Sequence, residues 1–141
     1  MCKTMNYSDE NRGKIQNRDR AKQIIDFGGM RYGNITPTDI DGYIDYHDSA
    51  FVFLEMKLEG ADMPYGQRLA LERLVNSATA SGHDACAMLC IHNKQNPDED
   101  VKAADTQVRA IYWKGAWHPP ARQMTTKEMV DSFLRFTQNI L

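Results

Sequence analysis

The sequence predicts an α/β protein in which a small mixed β-sheet is flanked by helices. Four short stretches have the composition of strands, three have apolar residues at helical spacing, and the two kinds alternate along the chain. A chain of 141 residues is long enough for one domain and short for two. The elements are predicted in the order α-β-β-α-β-β-α.

The first predicted helix covers residues 17–27, with Ile24 and Ile25 on its apolar side. It is expected to end at Gly28, because glycine commonly follows the C-terminus of a helix. The polar residues 1–16 are expected to be only partly ordered. A single domain is then predicted to extend from there to the end of the chain.

A β-hairpin and a second helix follow. The hairpin strands are predicted at 42–46 and 50–58, and the second of these is rich in aromatic and β-branched residues. The next predicted helix, QRLALERLVNSATA at 67–80, has Leu71 and Val75 at helical spacing.

The remaining part of the chain is predicted to supply two more strands and a helix. DACAMLCIH, at 84–92, is nearly continuously apolar, which is typical of a strand buried on both faces. Residues 93–105 are too polar for the core, and residues 106–113 form the next predicted strand, followed by a loop at 114–124. The last helix is predicted to begin at a capping-box pattern, Thr125-Thr126-Lys127-Glu128.

Composition and charge limit the classes of function. No apolar run approaches the ~18–20 residues of a membrane-spanning helix, and the first twenty residues lack the apolar core of a secretion signal. The net charge of −2, from 17 basic and 19 acidic side chains, argues against a coat-like nucleic-acid binder. It is compatible with an enzyme that contacts nucleic acid through one local patch and a bound metal ion.

Three cysteines at uneven spacing argue against a disulfide framework and indicate a reducing compartment. Cys86 and Cys90 lie between His83 and His92, which raises the alternative of a zinc site. Zinc sites usually combine two closely spaced ligand pairs, and the chain offers no second pair. We therefore predict that both cysteines are core thiols.

One constellation of polar residues carries the functional prediction. Asp39 and Asp41 stand where the first strand begins, and Glu55 and Lys57 stand on the second strand. Side chains two residues apart in a strand project to the same side, so Glu55 and Lys57 project together. The hairpin brings the aspartates beside them, which forms a site of hard oxygen ligands suited to Mg²⁺ or Mn²⁺. The alternative is a half-exposed strand on which Glu55 and Lys57 are solvated or paired with each other.

The segment TPTDIDGYIDYHDSAFVFLEMK resembles the second and third motifs of the PD-(D/E)XK nuclease superfamily. Asp41, Glu55 and Lys57 have the spacing D-x13-E-x-K, whereas the superfamily's Pro-Asp pair is replaced by Ile40-Asp41 or Thr38-Asp39. The order of elements is also similar, so the resemblance covers about residues 17–113. It implies a restriction-endonuclease-like core.

The resemblance also implies roles for individual residues. Asp41 would be the central metal ligand, with Asp39 as the alternative, because Asp41 directly precedes the strand. Glu55 would be the second metal ligand and the backbone carbonyl of Met56 a third. Lys57 would orient the attacking water or stabilise the transition state.

Further residues correspond to more variable positions of the superfamily. Gln67 would be a catalytic residue on the helix after the second strand, the alternative being a solvated position in the first turn. Asp19, on the first helix, would assist metal binding. Arg18, Arg20 and Lys22 belong to a basic cluster that would contact DNA phosphates, the alternative being a solvated helix face.

The function predicted from this resemblance is a metal-dependent deoxyribonuclease, acting in repair, recombination or phage DNA metabolism. Its cofactor would be Mg²⁺ or Mn²⁺, its partner DNA, and its setting the cytoplasm of a bacterial or phage-infected cell. A homodimer is expected, since cutting two strands often needs two copies. The alternative is a catalytically silent binding module on the same fold. The intact Asp41, Glu55 and Lys57 favour the enzyme.

Overall fold

A computed structural model describes residues 12–138 of the protein, and these fall into two compact units, 12–37 and 38–138. Cys2 and most of the segment 1–16 lie outside the described residues, and with them most of the predicted partial order.

Three helices, five strands and one 3₁₀ turn occur in the described residues. None of these helices combines the length and the apolar composition that crossing a bilayer requires. In chain order the elements are α1 (Arg18–Ala21), β1 (Gly42–Tyr46), β2 (Ala50–Leu58), α2 (Tyr65–Ala80), β3 (Asp84–His92), the 3₁₀ turn (Ala103–Asp105), β4 (Gln107–Trp113), β5 (Ala116–His118) and α3 (Thr126–Thr137).

The five strands form one mixed sheet in the order β1-β2-β3-β4-β5. Strands β2 and β3 are parallel, and α2 connects them, whereas the other neighbouring pairs are antiparallel. The predicted α/β class and mixed sheet are thereby confirmed. In this topology α2 runs back along β2, so the N-terminus of α2 lies toward the C-terminal end of β2.

Helices α2 and α3 are packed against opposite faces of the sheet, which we call the α2 face and the α3 face. On the α2 face, Phe53 of β2 packs with Leu71 and Val75 of α2. On the α3 face, Val52 and Met88 pack with Phe133 of α3. Because side chains alternate along β2, Glu55 and Lys57 lie on the α2 face, in line with Phe53.

The α3 face also holds both described cysteines. Cys86 and Cys90 are fully buried, so the prediction that they are core thiols is confirmed. Burial raises the pKa of each thiol above its ordinary value, which keeps it protonated. The helix that covers them begins as predicted: the Thr125 hydroxyl accepts from the Glu128 amide at 3.1 Å, and the Glu128 carboxylate accepts from the Thr125 amide at 2.9 Å.

The predicted helix at 17–27 is wrong in its length. Helix α1 comprises only Arg18–Ala21, capped by the Asn17 side chain. Ile24 and Ile25 are 76% and 78% exposed, so no buried apolar face supports a longer helix. The Asp26 carboxylate instead accepts from the Gly28 amide at 2.9 Å in a local turn.

The predicted loop at 114–124 is wrong in part, because it contains the short strand β5. Lys114 and Gly115 both have positive φ, at 48° and 86°, and form a two-residue turn that returns the chain to pair β5 with β4. Trp117 of β5 contacts Tyr112 on the α2 face and donates to the Glu72 carboxylate at 2.7 Å. Strand β5 spans only three residues, which leaves little alternating pattern to detect.

Strand β3 has more buried residues than any other strand of the sheet. Replacing Met88, which is fully buried, by Ala is expected to lower the free energy of unfolding by about 2–5 kcal/mol, because it leaves a cavity between sheet and α3. Leu74→Ala, at a 39% exposed position, is the matched control and should cost much less. Urea denaturation followed by circular dichroism measures both. Equal losses in the two variants would contradict this assignment of the core.

Candidate metal and phosphodiester site

Asp41 is fixed at the point where the β1–β2 ladder ends. Gly42 pairs with Leu54, so the preceding residue, Asp41, faces Glu55. One Asp41 carboxylate oxygen, Oδ2, accepts a hydrogen bond from the Met56 amide at 2.7 Å. The Asp41 side chain thus accepts the hydrogen bond that a backbone carbonyl of a neighbouring strand would otherwise accept. This hydrogen bond holds the Asp41 carboxylate against β2.

The Met56 backbone faces this same edge. The N–H and C=O of a strand residue point toward the same neighbouring strand. Since the Met56 amide donates to Asp41, its carbonyl also faces the side of β2 where β1 has ended. The Asp41 carboxylate and the Met56 carbonyl therefore lie at the same edge of β2.

Glu55 is the buried carboxylate of the sheet unit. The residue is 2% exposed, and its Oε2 is buried without a hydrogen-bond partner among the described residues. Burial, followed by the hydrogen bond and negative charge of Asp41, raises the pKa of Glu55 to about 8, against the opposing effect of Lys57. Without a metal, a proton held by Glu55 relieves its repulsion with Asp41.

Lys57 points along the same face and reaches Glu55. Its Nζ lies 3.5 Å from Glu55 Oε1, and its side chain is 20% exposed. The contact gains ion-pair strength when Glu55 ionises, which a cation beside the carboxylates would promote. The Lys57 ammonium thus contacts the buried Glu55 carboxylate and remains partly exposed to solvent.

Gln67 occupies the first turn of α2, one helical turn before the buried Leu71. Since α2 runs antiparallel to β2, this turn lies toward the end of β2 that carries Glu55 and Lys57. Gln67 is half-buried rather than solvated, and its Oε1 is buried without a partner among the described residues. The amide oxygen of Gln67 can therefore still accept a hydrogen bond.

The remaining predicted site residues are Asp39 and four residues of the unit 12–37. Asp39 is exposed and makes no hydrogen bond or ion pair within residues 12–138, which favours Asp41 as the central carboxylate. Asp19, Arg18, Arg20 and Lys22 belong to the unit 12–37, in and just after α1. The predicted roles of these four residues in metal and DNA binding stay predictions.

The residues present fit a hard divalent cation. Within the described part of the chain, no three His, Cys, Asp or Glu side chains form a metal-binding group. Two carboxylates and one carbonyl remain, and Mg²⁺ commonly uses one or two carboxylates while retaining several waters. The Oε2 of Glu55, which has no hydrogen-bond donor among the described residues, supports this fit, because a buried carboxylate oxygen needs either a proton or a cation beside it.

Comparison with known proteins found no matching family model, no matching curated protein and no matching solved structure.

The placement of Asp41 and Asp39 gives a paired prediction. Asp41→Asn keeps an acceptor for the Met56 amide but removes the negative charge, so Mn²⁺ affinity is expected to fall at least about tenfold. Asp39→Asn should leave the affinity unchanged. Calorimetric titration of both variants with Mn²⁺ at pH 7.5 measures this. A loss confined to Asp39→Asn would transfer the ligand role to Asp39.

Proposed function

We propose that this protein is a metal-dependent nuclease that hydrolyses phosphodiester bonds in DNA. The observation that carries the proposal is the buried, partnerless carboxylate oxygen of Glu55 beside Asp41 and Lys57. The fold supports the proposal in two ways. A hairpin brings these residues together, and α2 then connects β2 to the parallel strand β3. These features are the ones that resemble the PD-(D/E)XK core.

Asp41 and Glu55, with the Met56 carbonyl, would hold Mg²⁺ or Mn²⁺. When bound there, the ion lowers the pKa of a water ligand and offsets charge on the phosphate oxygens. The raised pKa of Glu55 means that a proton must leave the pair of carboxylates as the cation binds. Cation affinity is consequently expected to rise with pH up to about pH 8.

Lys57 and Gln67 would act on the phosphodiester itself. The Lys57 ammonium, anchored 3.5 Å from Glu55, donates hydrogen bonds to the attacking water or to a nonbridging phosphate oxygen. The amide of Gln67 offers a donor for the same phosphate and an acceptor for the water. Both side chains therefore position reactants around the carboxylates.

Cleavage assays test the proposal. The full chain is incubated with supercoiled, linear, single-stranded and branched DNA in Mg²⁺, Mn²⁺ or EDTA. We expect cutting of at least one substrate with metal, none with EDTA and none by Asp41→Asn. Arg135→Ala, an exposed change on α3, serves as the control that keeps activity. A folded protein that cuts nothing but binds DNA or a protein would instead support the silent binding module.

A further inference from the structure

An exposed aromatic ring lies next to the candidate carboxylate site. Tyr43 belongs to β1, at the edge of the sheet, and is 53% exposed although it lies within a strand. Gly42 pairs with Leu54 and Tyr43 with Phe53, so Asp41 and Tyr43 project to the same face of the sheet. Two residues of a strand span about 7 Å, so Tyr43 is the next side chain along this face from the Asp41 carboxylate.

The ring of Tyr43 is stacked on a second, buried ring. Its centroid lies 5.1 Å from that of Phe53, with 14° between the two ring planes, and the Phe51 ring meets it edge-on at a centroid distance of 5.9 Å. Phe53 is 7% exposed and packs with Leu71 of α2, which makes it a fixed support. Since Phe53 covers one side of the Tyr43 ring, the exposed surface of that ring lies on its other side and at its edges. A ring that is already positioned loses little freedom when a ligand stacks on it.

The charges around Tyr43 restrict what can stack there. Asp41 and Asp45 lie on either side of Tyr43 along the same face of β1. Desolvation, followed by the charges of Asp45 and Asp48, raises the pKa of Tyr43 above its ordinary value, so its hydroxyl stays protonated. These carboxylates would repel a phosphate placed over the ring, whereas they would not repel an uncharged planar group. Within a DNA strand, the uncharged planar groups are the bases.

We propose that Tyr43 stacks on an unpaired base next to the phosphodiester held at Asp41 and Glu55. The inference rests on the proposed function and adds its substrate class, DNA with unpaired bases. DNA rises about 3.4 Å per nucleotide, so a base about 7 Å from the phosphate belongs to the same nucleotide or to one of its near neighbours. Stacking on an aromatic ring tolerates every base. Inside a duplex both faces of a base are covered, and its extrusion costs free energy. Single strands, flaps and frayed ends should accordingly be preferred to intact duplex.

An oligothymidylate and an abasic strand of equal length separate stacking from contacts to phosphate. Fluorescence anisotropy measures the affinity for each labelled strand in Mn²⁺. The starting protein is Lys57→Gln, in which cleavage is expected to be slow and both carboxylates are intact. Into it are placed Tyr43→Ala, Tyr43→Phe, which keeps the ring, and the control Phe136→Ala. Phe136 is a 65% exposed aromatic residue of α3, which covers the other face of the sheet.

We expect Tyr43→Ala to weaken binding of the oligothymidylate at least about fivefold, and Tyr43→Phe and Phe136→Ala to leave it within about twofold. The abasic strand should bind all four proteins alike, and more weakly than the oligothymidylate binds the starting protein. Thermal melts check that Tyr43→Ala folds. Equal losses on both strands in a folded Tyr43→Ala would overturn the proposal. Equal affinity of the starting protein for the two strands would overturn it too, whether or not Tyr43→Ala folds.

Cleavage by the wild type reports separately on the proposed function. Cutting of single-stranded DNA in Mn²⁺, combined with equal binding of the two strands, would leave the nuclease standing without the stack at Tyr43. No cutting, combined with a preference for the oligothymidylate that Tyr43→Ala abolishes, would remove the nuclease and keep the base contact.

Discussion

Replacing Glu55 by Gln is expected to abolish metal-dependent cleavage while stabilising the metal-free protein above neutral pH. The amide retains the shape of the carboxyl group but cannot ionise or hold a divalent cation. Since a bound ion contributes several kcal/mol to such reactions, the rate should fall at least about 10³-fold. Addition of Mn²⁺ should raise the melting temperature of the wild type and not of the variant.

The effect on stability follows from the pKa of Glu55, which is raised from 4.5 to about 8 in the folded protein. Between these values the folded state binds a proton that the unfolded state releases. The stabilisation that this proton gives the folded protein is therefore fully present below about pH 4.5 and is lost as the pH rises through about 8. Over this range the free energy of unfolding falls by at most about 1.4 kcal/mol per pH unit. In Glu55→Gln the free energy of unfolding should not have this dependence on pH, because glutamine does not ionise.

Urea denaturation at pH 5, 6.5 and 8 in EDTA measures the prediction. The free energies of unfolding of wild type and Glu55→Gln should be similar at pH 5 and diverge toward pH 8, where the variant is the more stable. Asp39→Asn, an exposed carboxylate outside the pair, is the matched control and should follow the wild type. A constant difference at all three values would mean that Glu55 has its ordinary pKa.

Replacing Lys57 by Gln is expected to lower the cleavage rate by about 10²–10⁴-fold and to preserve binding of Mn²⁺. Lys57 contacts Glu55 rather than filling the core, and its side chain is 20% exposed. The variant should therefore fold. Its loss should appear in kcat, because the ammonium acts on the reacting phosphate and water rather than on the metal ligands.

Lys57→Arg provides the companion measurement. It keeps the positive charge but changes the position of the donors, so it should bind Mn²⁺ like the wild type and recover cleavage only in part. Rates and Mn²⁺ affinities of the three proteins at pH 7.5 give the comparison. Wholesale unfolding of Lys57→Gln in a thermal melt would mark the lysine as structural, and an unchanged rate would remove it from the mechanism.

Much of the sheet could be predicted from sequence because its strands are long and strongly patterned. The hairpin 42–58 and the buried strand 84–92 were found with their observed bounds. The same regularity brought Asp41 opposite Glu55, since a hairpin register fixes which residues face each other. The hydrogen bond to the Met56 amide follows from that register.

Other features depend on contacts that no local pattern encodes. Helix α1 was predicted too long because Ile24 and Ile25 have helical spacing, yet both are exposed. Strand β5 was missed although Lys114-Gly115 is a turn signal, since three residues show no alternation. The groove of about 350 Å³ that Thr38 and Ile40 form with α2 could not be foreseen, because it depends on where residues 38–40 pass along α2.

The most direct test of the account is a time course of DNA cleavage by wild type and Glu55→Gln, at equal concentration with Mn²⁺ and with EDTA. The substrate is a single-stranded DNA, and a linear duplex of the same sequence runs beside it. Cutting by the wild type is expected in Mn²⁺ alone, and no cutting by the variant. Equal cutting by both proteins, or wild-type cutting in EDTA, would contradict a metal-dependent site at Asp41 and Glu55.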